Sequence, residues 1–388
     1  MLTLEQQIFK QVEKSEHILI TFNADWNGDA IASALALSLF LKGLDKKVDI
    51  AAHLATNDGL QTKNATAWNF LPAYASIGHD LKNLRKFIVS LDISQATINQ
   101  IKYTVDGQKL NFIISPAKGW FSPEDISTSS SGFKYDLVFV VDTPDLESLA
   151  AIYDNNVEFF YKTTIINIDH RASNEEYGQI NYLDLNVVST AEIIFNLLKQ
   201  QSPDKNLNED IATCLLAGII SKTKNYKSPN LTPRTLLTSS KLIGMGAKRE
   251  EIINQLYRSR PLSVLKSWGK VLNNLQTDAD KKLIWSLLSG PEAAALTDEN
   301  IDLSDVVEEI ITSVPEAKLI LIALAVPGKT SIKVSAYAVK GVSALELLKP
   351  FPATGNAKAA QADLTMTPEN WQNDFIKNIK EKLDKNFT

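Results

Sequence analysis

Disulfide bonds are the first thing this sequence lacks: Cys214 is its single cysteine, so no internal bridge can form and a cytosolic protein is expected. Cys214 lies in the apolar stretch 211–220 and reads as a small core residue rather than a nucleophile. Long hydrophobic runs are missing too. No stretch approaches the ~18 apolar residues of a membrane span. The N-terminus, Met1-Leu2-Thr3-Leu4-Glu5, has no basic region followed by an apolar run, so no signal peptide is expected. Charge of one sign is not in excess either. A net charge of -5 over 388 residues argues against a general nucleic-acid binder but leaves room for a local basic cleft. There is no internal repeat, and the serine run at 127–131 is too short to count as low complexity. His17, His53 and His79 fall in no motif and read as surface or edge residues. With 44% hydrophobic and 22% charged residues, the composition is that of a globular protein, and the length suggests two domains with a helical connector.

The chain is organised around residues 17–33. An apolar run, 18–22, is too short for a helix, partly β-branched and aromatic, and reads as a buried parallel strand. A polar loop follows, with Asn23, Asp25, Asn27 and Asp29. From Ala30 the apolar residues recur at three- and four-residue steps until Gly43 stops a helix. In open α/β sheets ligands sit beyond the carboxyl ends of the strands, which makes this loop the first place to look for a site.

Elsewhere the pattern predicts helices at 4–14, 143–154, 193–200, 208–222, 233–243, 250–257 and 261–275, and strands at 47–52, 86–92, 136–142 and 164–169. Segments 101–105 and 110–115 are expected to pair across Asp106-Gly107. The mixed segment 53–84 and the Ser/Pro/Gly-rich segment 116–134 read as loops. Ser189-Thr190-Ala191-Glu192 fits a capping box, and Thr232-Pro233 and Thr367-Pro368 read as helix starts. A second α/β unit begins near Lys282: strands at 283–288, 319–325 and 330–338, the last two joined at Pro327-Gly328, helices at 305–314 and 342–348, and a last helix with Trp371, Phe375, Ile379 and Leu383 on one packing face. The fold class is therefore α/β, a doubly wound, mainly parallel sheet plus a helical connector and a smaller α/β C-terminal domain, with boundaries at 1–229, 230–280 and 281–388.

Three strand ends collect polar residues: the loop 23–29, Asp142, and Asp169-His170-Arg171. Neighbouring strands lie ~4.8 Å apart, so these tips would converge. Carboxylates and a histidine at one point are the raw material of a divalent-metal site, and two metals ~3.5–4 Å apart would serve phosphoryl transfer.

These motifs resemble the DHH family of phosphoesterases, which includes RecJ-like nucleases and nanoRNase/pAp phosphatases. The family's opening loop, H-x-N-P-D-G-D-A-I-G-S, is matched by residues 23–33. A strand ending in aspartate is matched by Val140-Val141-Asp142-Thr143. D-H-H followed by S-T-A-E is matched by Asp169-His170-Arg171 and residues 189–192, and a helix ending G-I-x-x-D-T by residues 218–223. The C-terminal unit is similar to the DHH-associated domain, whose G-G-G-H-x-x-A-A-G loop is matched by residues 353–361, and a family arginine falls on Tyr337. The departures all remove metal ligands: Asn23, Asn27, Arg171 and Lys222 stand where the family has His, Asp, His and Asp, and Gly355 and Asn356 are what remains of the glycine-rich loop. Asp29, Asp142 and His170 survive.

A two-metal site needs several carboxylates against a charge of +4. Arg171 and Lys222 instead bring fixed cations to Asp29 and Asp142. The resemblance thus implies a degenerate, non-catalytic member that holds no metal cofactor and binds a nucleotide, a short oligonucleotide or a protein partner in an interdomain cleft, with Asp25, Tyr337, Gly355 and Asn356 as ligand contacts. The competing reading is an active phosphoesterase using Asp29, Asp142 and His170 around a Mn²⁺ or Mg²⁺; a third is a scaffold whose cleft is plugged by Trp26 or Tyr337. Several roles stay open. Asp29 and Asp142 either ligate or only cap helices and order loops, His170 either ligates or bonds backbone, Asp25 is either a ligand contact or a surface acid, and Lys222 either neutralises a carboxylate or meets a phosphate. Members of the family pair as dimers, so a homodimer is an expectation, as is a cytoplasmic location without membrane contact.

Overall fold

The structure, a computed structural model, describes residues 2–55, 65–201, 207–258, 262–280, 282–298, 304–325, 331–339, 341–349 and 351–386. The chain divides into two units, Met1–Arg258 and Ser259–Thr388. The division falls inside the segment 230–280 that the sequence marks as a connector.

The first unit opens with α1 (Leu4–Lys14), β1 (His17–Phe22), α2 (Gly28–Lys42) and β2 (Lys47–Ala51). A two-residue strand, β3 (Ile77–Gly78), follows. Residues 85–133 form β4 (Arg85–Leu91), β5 (Thr97–Asp106), β6 (Lys109–Lys118) and β7 (Ile126–Phe133). Then come β8 (Leu137–Val141), the short helices α3 (Ala151–Asp154) and α4 (Val157–Lys162), β9 (Thr164–Asp169), β10 (Ile180–Leu183), α5 (Thr190–Gln201), α6 (Glu209–Lys222), α7 (Pro233–Gly244) and α8 (Arg249–Ile253).

Six strands make one sheet in the order β10-β9-β8-β1-β2-β3, and every pairing in it is parallel. Ile18, Ile20 and Phe22 of β1 face a large core with α1, α2, α5 and α6, whereas Leu19 faces a smaller one with Leu149, Ile152, Phe159 and Phe160. Helical cover on both faces gives the doubly wound arrangement. From β1 the sheet grows one way through β2 and the other way through β8, so the switch point lies between the carboxyl ends of β1 and β8.

Several sequence expectations change here. Segment 86–92 is a strand but pairs only with β7, outside the main sheet. Segment 116–134 is not simply loop: it holds the end of β6 and all of β7, whose serines carry no strand signal but pair antiparallel with β4. The four-residue edge strand β10 is added. Segment 143–154 is a single 3₁₀ turn, Glu147–Leu149, and the one-turn α3 rather than one helix.

The second unit contains α9 (Leu262–Asn273), β11 (Leu275–Thr277), β12 (Leu283–Leu288), α10 (Gly290–Asp298), α11 (Ser304–Ser313), β13 (Leu319–Ala325), β14 (Ile332–Ala338), α12 (Ala344–Leu347), β15 (Ala353–Gly355), β16 (Ala359–Leu364) and α13 (Ile376–Asn386). Its sheet runs β11-β12-β13-β14-β16-β15, with β12 and β13 parallel and the other pairs antiparallel. Pro327-Gly328, the expected turn between β13 and β14, lies outside the described residues, as do Pro261 and Thr330. The helix expected at 342–348 shrinks to α12, and the last helix passes through a π turn, Trp371–Phe375, before α13. Trp371, Phe375, Ile379 and Leu383 are all buried in that unit's core.

Candidate functional site

The switch point is where the polar residues meet. Asn27 caps α2 by accepting the Ala30 N–H (2.9 Å), which places Asp29 in the first helical turn. The Asp29 side chain is buried and turns to the start of α5, accepting from the backbone N–H of Thr190 (2.8 Å) and of Ala191 (3.0 Å). It thus caps, from another helix, amides that α5 cannot satisfy itself. Ser189 Oγ also accepts the Glu192 N–H (3.3 Å), while Glu192 Oε1 accepts from the Val188 N–H (3.3 Å) and the Ser189 hydroxyl (3.4 Å) rather than from the Ser189 backbone N–H of a standard capping box.

Asp142 follows β8 with φ +49°, a left-handed conformation that aspartate tolerates better than most residues. Its carboxylate is fully buried. Oδ1 accepts from the Thr190 hydroxyl (3.0 Å) and lies 3.2 Å from Arg171 Nη2; Oδ2 accepts from Asn27 Nδ2 (2.9 Å). Asn23 fastens the β1 loop to the same point, its Nδ2 donating to the Asp142 carbonyl (2.5 Å). His170 Nδ1 stands 3.0 Å from Thr190 Oγ1 and 3.4 Å from Asp142 Oδ1. Because the Thr190 hydroxyl donates to Asp142, it accepts from His170, so Nδ1 carries the proton of a relay His170–Thr190–Asp142.

Arg171 is held by a second carboxylate. Its Nε donates to both oxygens of Asp169 (3.0 and 3.2 Å), and Asp169 also accepts from the backbone N–H of His170 and Arg171 and from Asn174 Nδ2. Arg171 Nη2 touches Asp142 as an ion pair without hydrogen-bond alignment. The local charges are therefore three carboxylates, Asp29, Asp142 and Asp169, against Arg171 and Lys222, with the His170 ring beside them. The balance of two acids against two bases read from sequence omits Asp169.

Burial pushes the Asp29 carboxyl up to about 6, helped by repulsion from Asp142 and opposed by His170 and Lys222. Burial also raises Asp142, but the His170 hydrogen bond, Arg171 and Lys222 outweigh it and hold the carboxyl below its ordinary value. Burial depresses the Arg171 guanidinium, yet Asp142 and Asp169 keep it above its ordinary range.

Among the described residues, Asp29, Asp142 and His170 bring ligand atoms within 4.8 Å of one another. That set meets a single ion at most. A two-metal centre does not fit: Asp169 is occupied by Arg171 and Asn174, and the Arg171 guanidinium lies 3.2 Å from Asp142 Oδ1.

Of the residues singled out from sequence, Asn23, Asn27, Asp29, Asp142, His170 and Arg171 come together here. Lys222, the half-buried last residue of α6, acts on Asp29 and Asp142 through its charge. Asp25 is exposed and outside the cluster. Trp26 does not plug a cleft: it is buried in the core, donating to the His53 carbonyl (2.7 Å). Tyr337, Gly355 and Asn356 belong to the second unit. Tyr337 and Gly355 line an open pocket of about 250 Å³ there, and Asn356 closes the β15–β16 turn by accepting the Lys358 and Ala359 N–H groups. Thr190 and Asn174 are the site residues that sequence reasoning passed over: Thr190 lies in a quoted motif but reads only as part of a cap, and Asn174 lies just beyond one. Asp169 is read there only as a strand end.

Residues 17–219 match the model of the DHH family, N-terminal domain, which is more than half of the chain. The chain belongs to the DHH family. The DHH chain is 28% identical over 200 residues to the bifunctional oligoribonuclease and PAP phosphatase NrnA of Thermus thermophilus, a match covering 52% of this chain and 58% of that one. It is 29% identical over 140 residues to NrnA of Bacillus subtilis, covering 36% and 43%. The matches thus span about half the length of these curated relatives. A crystal structure of an exopolyphosphatase-related protein from Bacteroides fragilis superposes with a TM-score of 0.66 at 17% identity, over 99% of this chain and 98% of that one, which supports the fold. Among the described residues no helix is long and apolar enough to cross a membrane.

Proposed function

We propose that this DHH-family chain is a non-hydrolytic member that binds a phosphate-bearing ligand, a nucleotide or short oligonucleotide, at the tips of β1, β8 and β9. The observation that carries this reading is the Arg171 guanidinium set between Asp142 and Asp169, which supplies the positive charge that a metal pair would otherwise supply. Arg171 is 28% exposed; its Nε is taken by Asp169 and its Nη2 is buried, which leaves Nη1 as the donor for a phosphate oxygen. The names of the relatives, oligoribonuclease and PAP phosphatase, support the ligand class.

A second reading rests on the trio Asp29, Asp142 and His170: a phosphoesterase working with one Mn²⁺ or Mg²⁺. One experiment separates the two. Mn²⁺ is titrated calorimetrically into the metal-stripped chain near neutral pH, and hydrolysis of PAP and of a short oligoribonucleotide is followed with and without Mn²⁺. The first reading expects no saturable metal binding below millimolar and no hydrolysis, with PAP binding that weakens in Arg171→Ala. Tight binding of one or two equivalents, lost in Asp142→Ala and accompanied by Mn²⁺-dependent hydrolysis, would establish the second.

A further inference from the structure

The hairpin β5–β6 stands outside both six-stranded sheets and apart from the β4–β7 pair as a two-stranded ribbon. Its register pairs Ile101 with Ile114, Tyr103 with Phe112 and Val105 with Leu110. Cross-strand partners share a face, so these six side chains form one apolar surface. The opposite face carries Lys102, Thr104, Asp106, Lys109 and Asn111, with Ile113 as its apolar member. The ribbon is amphipathic, and its apolar face is bare: Ile101 is 59% exposed, Tyr103 71%, Val105 70%, Leu110 55% and Phe112 56%. Two strands with one apolar face in water are marginal at best. A face of this kind is a surface that wants a cover.

We propose that the cover is a second copy of this chain, with the two ribbons stacked by their apolar faces across a two-fold axis. The area is right for it. At the exposures above, those five residues leave roughly 600 Å² uncovered, the upper end of the largest patch on a typical monomer and most of the ~800 Å² per partner of a standard interface. The face is also self-complementary, aliphatic around a Tyr103/Phe112 pair and free of charge, so stacking it on itself buries no ion and brings no like charges together.

Two other occupants fit less well. Single-stranded nucleic acid needs cations beside the stacking aromatics; here Lys102 and Lys109 lie on the face away from Tyr103 and Phe112. An anionic membrane needs a cationic excess; segment 85–133 carries five cationic and four anionic residues and is nearly neutral.

The test is sedimentation equilibrium on the full chain from about 1 to 100 µM. Wild type is expected to dimerise. Phe112→Asp is expected to weaken the dimer at least ~30-fold, as loss of an aromatic anchor at an interface centre does. Asn111→Asp, on the polar face, is expected to leave it unchanged. A variant with 97–118 replaced by a short Gly-Ser link, possible because Thr97 and Lys118 are cross-strand partners, is expected to be monomeric with the melting temperature of the rest of the first unit retained. A wild type that stays monomeric throughout overturns the proposal, and flotation of that monomer with phosphatidylserine vesicles, or its binding of oligo(U), would name the occupant instead. A dimer that survives both Phe112→Asp and excision of the ribbon also overturns it.

Discussion

Arg171 is gripped by two carboxylates at once, bonded through Nε to Asp169 and paired through Nη2 with Asp142. Taking one partner from a buried ion pair costs about 3–5 kcal/mol, and the partial exposure of Arg171 screens some of that, so Arg171→Ala is expected to cost about 2 kcal/mol in urea unfolding. The same change vacates the outer side of Asp142. Arg171→His should therefore make the melting temperature rise with added Mn²⁺, whereas the wild-type melting temperature should not respond; a Mn²⁺ response of equal size in both would refute the view that Arg171 stands in for metal. Asp29 gives a second test at this scale. Its carboxyl titrates at about 6 when folded and at an ordinary 3.8 when unfolded, so the folded chain holds a proton that the unfolded chain has lost. Its contribution to stability is full below the unfolded value and disappears as pH rises through 6, by at most ~3 kcal/mol at 1.36 kcal/mol per unit. Asp142 runs the other way: held low, it contributes above its unfolded value and loses that contribution as pH falls below. The stability difference between wild type and Asp29→Asn, measured by urea unfolding, should shrink from pH 4 to pH 6 and stay level above pH 7.

Elements decide what could be foreseen in this site. The loop 23–29, Asp142 and the Asp169-His170-Arg171 run were legible because each ends a short, largely apolar run, the signature of a buried parallel strand. The replaced ligands, Asn23, Asn27, Arg171 and Lys222, were legible as departures in type. Their partners were not. Asp29 caps a helix that starts 161 positions later, and no local pattern carries such a contact. Asp169 looked like one more strand end until Arg171 folded back onto it. Outside the site, Asp106-Gly107 marked its hairpin because Gly107 takes φ +57° at the turn, whereas the middle of β7 is a run of serines without hydrophobic alternation. Helix packing offers its own test. A methyl group on Gly218 of α6 would stand 2.8 Å from the Ala191 side chain and 3.1 Å from Asp29 Oδ1. Gly218→Ala must push α5 or Asp29 aside, and even after the gain in helix propensity it is expected to cost about 1–2 kcal/mol. Gly244 of α7 has open space around it, so Gly244→Ala, compared in the same urea titration, should not destabilise.

At the scale of the molecule, the two units keep their cores to themselves. Residues 8–253 supply the two clusters of the first, and residues 271–383 supply those of the second. Each is large enough to hold a core of its own. A chain ending at Arg258 is expected to unfold cooperatively and to keep the Asp29 pH dependence of the full chain; loss of either would mean that the second unit is needed to form the site. The sequence marks only the connector 230–280; within it, docking assigns α7 and α8 to the first unit and α9 to the second.

The single cysteine has a practical side. Cys214 is sealed inside α6, and burial pushes its thiol up, well away from the thiolate that reacts with maleimides and nitroxides. The native chain is in effect a blank for thiol chemistry. Any surface position changed to cysteine becomes a unique attachment point without a background to subtract. A spin label at the tip of the β5–β6 ribbon would then report on one distance alone, that between two copies of the same residue.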